Sequence, residues 1–311
     1  MIKLPAYFGS MSEKYFNPFT DFGFKKLFGE EATKDLLLDF LNSVLHDEEG
    51  VITSLEFSKN EHLGKMELDR RVVFDIYCTN ERGEKFIVEM QKARQTFFKD
   101  RSLFYATVPI QEQSISGGSW NFKLKAVYSI SILDFLLDEK STNAKFFSKI
   151  KLLDTDTKQV FSNKLTFVYI EMPNFEKLQD DLTNQFEKWL FLLKHLPRLQ
   201  SLPAKMQEKI FKKVMDVAKL ANLKRDERFA YERSLKSYRD LQNVKDTYFE
   251  EGEIKGEIKG RIAGKVEGKI EGKIEAAINA RKQGLPLDVI AAFTQISEPE
   301  LSRIFKENGI K

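Results

Sequence analysis

RVVFDIYCTNERGEKFIVEMQ, residues 71–91, reads as two strands joined by a tight turn. Val72–Thr79 and Lys85–Met90 are rich in β-branched and aromatic residues. Between them Glu81-Arg82-Gly83 has Gly in third place, which suits a type I turn followed by a left-handed residue. A three-residue loop centred on Arg82 sets Asp75 opposite Glu89 and Tyr77 opposite Ile87. With a period of two, Asp75, Glu89 and Gln91 share one face, and Ile76, Val88 and Met90 share the other. Directly opposed Cβ atoms lie about 4.5–5.5 Å apart, so two carboxylates there repel unless something offsets them. A divalent cation does so, and Mg²⁺ favours one or two carboxylates with phosphate oxygens. Incidental acids on a solvent-facing strand pair are the competing explanation. The apolar neighbours in VVFDIY and FIVEM imply partial burial, which normally requires pairing or a metal.

Working outward, NPFTDFGFKKLFGEE carries a helix-start signal at Thr20-Asp21 and a stop at Gly29. Leu36, Leu37, Phe40, Leu41, Val44 and Leu45 give a second helix over 33–46, and 51–58 suits a strand. After the hairpin, a helix is expected over 94–116, kinked or divided by Pro109 and ended by Gly117-Gly118. Strands follow at 124–135 and 164–172, then a charged helical stretch over 176–246. The order predicts an α/β core, residues 1–175, with a mixed sheet flanked by helices. An all-α region follows: a helical extension (176–248), a repeat (249–276) and a terminal helix pair (277–311).

Composition bounds the function. The chain has 311 residues, 50 Lys+Arg against 47 Asp+Glu, three His and one Cys. One Cys makes neither an internal disulfide nor a Cys-based zinc site. MIKLPAYFGSMSEKYF lacks the apolar run of a signal peptide, and no stretch suits a membrane span. A cytoplasmic location without membrane contact is expected. A net charge of +3 allows nucleic acid as a partner without indicating it. His46, His62 and His195 lack ligand spacing, and no organic cofactor is expected.

The words TDFGFKKLFGEE (20–31), LLDFLNSVL (37–45), FDIYCTNERGEKFIVEMQ (74–91) and FFKDRSLFYATVPIQEQSISGG (97–118) give the chain a specific likeness. It resembles the PD-(D/E)XK nuclease superfamily, and more narrowly its recombination-promoting nuclease and transposase family. The resemblance covers about residues 15–175 and implies a restriction-endonuclease-like core that cuts DNA with Mg²⁺ or Mn²⁺. It implies that Asp75 and Glu89 ligate the metal, with the Met90 carbonyl as third ligand, and that Gln91 stands where the superfamily has Lys. Gln positions water but neither carries positive charge nor acts as a base. A basic group from the following segment, which carries Lys92, Arg94, Lys99 and Arg101, is one remedy. Arg101 and Tyr105, one helical turn apart, rank first, with ordinary packing as their alternative. Asp21 is the first-helix acid expected to join the site or to cap the helix. Lys25, Lys26, Lys92 and Arg94 are the candidate phosphate contacts. A Mg²⁺-dependent DNA endonuclease is therefore expected. The alternative is a catalytically weak DNA-binding or assembly protein on the same fold.

Gly252, Gly256, Gly260, Gly264, Gly268 and Gly272 recur every four residues, each followed two places later by Ile or Val. Residues 251–275 hold six Lys/Arg and six Glu, so the repeat is read as a self-associating helix laced with i,i+4 ion pairs. A homo-oligomer formed through 249–276 is expected. Residues 277–306 suit either a helix-turn-helix, with Ser302, Arg303 and Lys306 facing DNA, or a plain helical hairpin.

Overall fold

The computed structural model describes residues 13–45, 50–59, 61, 62, 72–114, 121–138 and 145–310. Gly117-Gly118 and His46 lie outside them. In chain order the elements are α1 (Asp21–Phe28), α2 (Lys34–Leu45), β1 (Leu55–Phe57), β2 (Glu61–His62), β3 (Val72–Val73), β4 (Ile76–Asn80), β5 (Lys85–Gln91) and α3 (Phe98–Gln111). Then come β6 (Val127–Leu133), β7 (Phe147–Leu153), β8 (Val160–Glu171), α4 (Gln185–His195), α5 (Lys209–Ala218), α6 (Arg225–Lys282), α7 (Leu287–Thr294) and α8 (Glu298–Glu307).

The hairpin is built as its turn chemistry requires. Gly83 N–H donates to the Asn80 carbonyl at 3.0 Å, and Gly83 takes φ +78°, closing a type I turn with a left-handed third residue. The register runs Thr79–Lys85, Cys78–Phe86, Tyr77–Ile87 and Ile76–Val88, as the sequence predicts. Around this hairpin a six-stranded mixed sheet forms in the order β1-β4-β5-β6-β8-β7. Strands β5, β6 and β8 are mutually parallel, and the other pairings are antiparallel. Every residue of β6, VYSISIL, is buried, as befits a central parallel strand covered on both faces.

Period two then separates two layers. Ile76, Cys78, Phe86, Val88 and Met90 join Ile130, Ile132, Val168 and Ile170 in one core with Phe28, Phe40, Trp189 and Phe211 of α1, α2, α4 and α5. Trp189 donates from Nε1 to Asp39 Oδ1 at 2.6 Å, satisfying its one polar group inside that core. On the opposite face α3 sets Phe98 and Ala106 against Leu133, Phe167 and Tyr169, and Tyr105 against Phe74, Tyr77 and Ile87. Helices α4 and α5 thus complete the core of the sheet. The chain divides into one unit reaching Leu241 and a second, Gln242–Lys311. In the second unit α7 and α8 close on the end of α6 through Ala277, Ile290, Leu301, Ile304 and Phe305.

Several expectations change. The strand expected over Val72–Thr79 is broken at Phe74-Asp75, which separates β3 from β4. Helix α3 begins at Phe98 and stays one helix through Pro109, ending two residues later at Gln111, where the lost donor disturbs only a last turn. The edge strand β7 went unpredicted, because its half-exposed FSKIKLL carries no clean alternation.

The hairpin register rests on a left-handed glycine. Gly83→Ala should lower stability by about 1–2 kcal/mol in urea denaturation. Its Cβ would meet only the Lys125 side chain, at 3.4 Å, so the loss is backbone strain, and Gly83→Asn should lose less.

Candidate active site

Asp75 sits at the bend between β3 and β4, where the antiparallel ladder with β5 ends. Its backbone N–H donates to Glu89 Oε1 at 3.1 Å, and Met90 N–H donates to Asp75 Oδ2 at 2.9 Å. The two side chains are thereby laced across the strand pair by each other's backbone. The bend departs from the straight strand of the sequence reading and places Glu89's carboxylate where a ladder carbonyl would stand. Gln91 Nε2 donates to Glu89 Oε2 at 2.9 Å, so all three predicted residues form one connected group. Met90 brings only its backbone, since its side chain lies in the opposite core.

Burial and proximity set the charge state. Glu89 is buried, and its pKa is pushed up to about 8, first by desolvation and next by the Asp75 charge. The Asp75 N–H, Arg101 and Gln91 pull it partly back. Asp75 is also raised by burial, against the Met90 N–H, Lys25 and Lys92. Burial and mutual repulsion thus favour the protonated form of the pair. Among the described residues no group of three or more His, Cys, Asp or Glu is placed to hold a metal, so side-chain donors here are two carboxylates. Two hard oxygen donors that repel one another in a buried site suit Mg²⁺ or Mn²⁺.

Basic groups approach from both sides. Arg101, in α3, acts on Glu89, donates to Gln95 Oε1 at 2.8 Å, and lies over the Tyr105 ring at 4.8 Å. Glu89, Gln91, Arg101, Tyr105 and Ser131 line a space of about 10 Å³, roughly the room one water needs. On the other side Asp21, Lys25, Lys92 and Arg233 line an open cleft of about 440 Å³. Lys92 is half-buried, and burial lowers its pKa against the pull of Asp21 and Asp75.

The cap of α1 is Thr20, whose Oγ1 accepts from Gly23 N–H at 3.0 Å. A Cβ at Gly23 would stand 2.2 Å from the Asn17 carbonyl, so only glycine lets this turn close. Asp21 is thus free of the capping role that was its alternative. It pairs with Lys25 at 2.9 Å and is felt by Asp75. Lys26 is held by Glu227 at 2.6 Å and Glu30 at 3.1 Å. Arg94 is exposed beside Phe97 and Lys99. Sequence reasoning missed Arg233, which comes from α6, and Ser131, paired with Glu89 in the parallel ladder. Neither has a local signal.

A folded-state pKa raised above the unfolded value stabilises below the unfolded value and loses that stabilisation as pH rises through the folded value. For Glu89 the window runs from about 4.5 to about 8. In EDTA, Glu89→Gln should match the wild type near pH 5. It should exceed the wild type by about 1–3 kcal/mol near pH 8.5 in urea denaturation. Equal pH dependence of the two proteins would contradict a raised Glu89.

No curated protein and no solved structure matches the chain. A family model described as PD-(D/E)XK nuclease family transposase matches residues 18–248. That span holds the whole six-stranded sheet, its flanking helices and the Asp75–Glu89–Gln91 group, and the chain belongs to the PD-(D/E)XK nuclease family transposases.

Proposed function

We propose that the chain is a metal-dependent DNA endonuclease, hydrolysing phosphodiester bonds in recombination or mobile-element biology. The observation that carries this reading is the buried pair of mutually repelling carboxylates, Asp75 and Glu89, flanked by cationic groups. Asp75, Glu89 and the Met90 carbonyl would hold Mg²⁺ or Mn²⁺. When bound, the ion neutralises charge on the scissile phosphate and makes water more acidic. Gln91 orients water in the space it shares with Glu89, Arg101 and Tyr105. Arg101 and Lys92 provide the positive charge that Gln91 lacks, offsetting negative charge on the phosphate as it develops. Lys25, Arg94 and Arg233 contact the flanking backbone, with Lys26 largely engaged by its own carboxylates. The helical tail, 249–276, joins copies of the chain.

The second reading, DNA binding or assembly with weak chemistry, draws support from Gln91, which is tied to Glu89 and can act neither as a base nor as a cation. One experiment separates the two. The full chain is incubated with plasmid DNA in Mg²⁺, Mn²⁺, Ca²⁺ or EDTA, with binding measured in parallel. Cleavage in Mg²⁺ or Mn²⁺ that falls at least about a hundredfold in Asp75→Ala and Glu89→Ala supports the nuclease. Tight binding without cleavage in any metal supports the second reading.

Proton and metal compete for Glu89, so Mg²⁺ affinity should rise with pH up to about 8. Calorimetry in buffers of different ionisation enthalpy should show proton release on binding at pH 7. Arg101→Ala should reduce turnover by about a hundredfold with little change in DNA affinity.

A further inference from the structure

The repeat in α6 contains two oddities that nothing among the described residues explains. A Cβ built on any of its six glycines meets no atom within 4 Å, and none has a positive φ. Each glycine therefore costs about 1 kcal/mol against alanine with no internal return. Ile254, Ile258, Ile262, Val266 and Ile270 are each more than half exposed.

The charges are the second oddity. The position after each Gly reads Glu253, Glu257, Arg261, Lys265, Lys269 and Lys273. The position after each Ile or Val reads Lys255, Lys259, Ala263, Glu267, Glu271 and Glu275. A period of four makes i,i+4 neighbours members of one row, so like charges stack and repel along the helix. This departs from the expected lacing of i,i+4 pairs: Lys255 pairs with Glu251 at 3.1 Å, ahead of the first glycine. The second row changes sign at Ala263, and the first changes between Glu257 and Arg261.

We propose that α6 pairs antiparallel with α6 of a second copy, about a two-fold axis at Ala263; this rests on the self-association proposed above. Each residue then faces the one equally far beyond Ala263. Lys255 meets Glu271, Lys259 meets Glu267, Gly256 meets Ile270, and Gly260 meets Val266. Charges that repel within one helix are offset by the other, except that Arg261 faces Lys265, and each bulky residue meets a glycine. Seven residues fall about 20° short of two turns, so Gly256, Ala263 and Ile270 lie almost in line.

Other arrangements bring more like charges together. Setting Ile against Ile in the antiparallel sense brings Glu253 to Glu275 and Lys255 to Lys273. A parallel pair through the Gly256–Ala263–Ile270 line sets Lys259 against itself. The equal numbers of acid and base over 251–275 give DNA no net attraction to this face.

The test uses the full chain. Sedimentation should show a dimer, weakened roughly tenfold by Lys259→Glu or by Glu267→Lys and restored by the two together. Gly256→Cys and Ile270→Cys chains, co-expressed, should cross-link to each other, and Gly256→Cys should not cross-link to itself. Cys78 is buried in the sheet, with its thiol pushed up to about 12, so it stays silent. A monomer at about 100 μM overturns both self-association and this register. Association with Gly256→Cys self-cross-links, or without rescue by the double variant, overturns the register alone.

Discussion

Two carboxylates held side by side out of water form the constraint around which the nuclease unit is organised. Unpaired, they repel, and the chain tolerates them because each is gripped by the other's strand: Asp75 N–H on Glu89, Met90 N–H on Asp75. That grip needs the strand break at Phe74-Asp75, the hairpin register behind it, and α3 and α1 bringing cations from either side. A site that is destabilising when empty of charge compensation is well suited to a cation that supplies it.

The rest of the first unit holds this arrangement rigid. The register is locked by Gly83 at the turn and by the apolar positions Ile76, Val88 and Met90, which a one-residue slip would turn out of the core. Tyr77 donates to Glu112 at 2.6 Å, fastening the far end of α3 to β4, so Arg101 and Tyr105 are positioned by a helix anchored beyond them. Support for the site is spread over residues that take no part in its chemistry.

What could be read directly from the sequence was what local physics settles. The hairpin follows from turn chemistry and a period of two, and it brings Asp75, Glu89 and Gln91 together without tertiary information. The first-helix start was visible, but the choice between Thr20 and Asp21 as cap was not, since both are good caps. The bend at Asp75 arises from side chain-to-backbone bonding across strands, which no propensity encodes. Arg233 reaches the cleft from a helix more than a hundred residues away in the chain, and β7 is an edge strand whose exposed side carries no pattern. The tail shows the limit of reading composition alone: neutrality was plain, yet the order of the charges held the information.

The sheet has two open edges, and each is made a poor template for foreign strands. Strand β1 offers three residues, Leu55–Phe57. Strand β7 sets Lys149 and Lys151 along its length and loses register with β8 at Lys151–Leu152 and Leu152–Leu153. Short, charged and bulged edges resist edge-to-edge growth. A protein that carries an exposed Ile stripe is at risk of indiscriminate aggregation, and blunted sheet edges remove the β route to it. The regular Ile stripe lies instead on a helix, where charge order can select the partner.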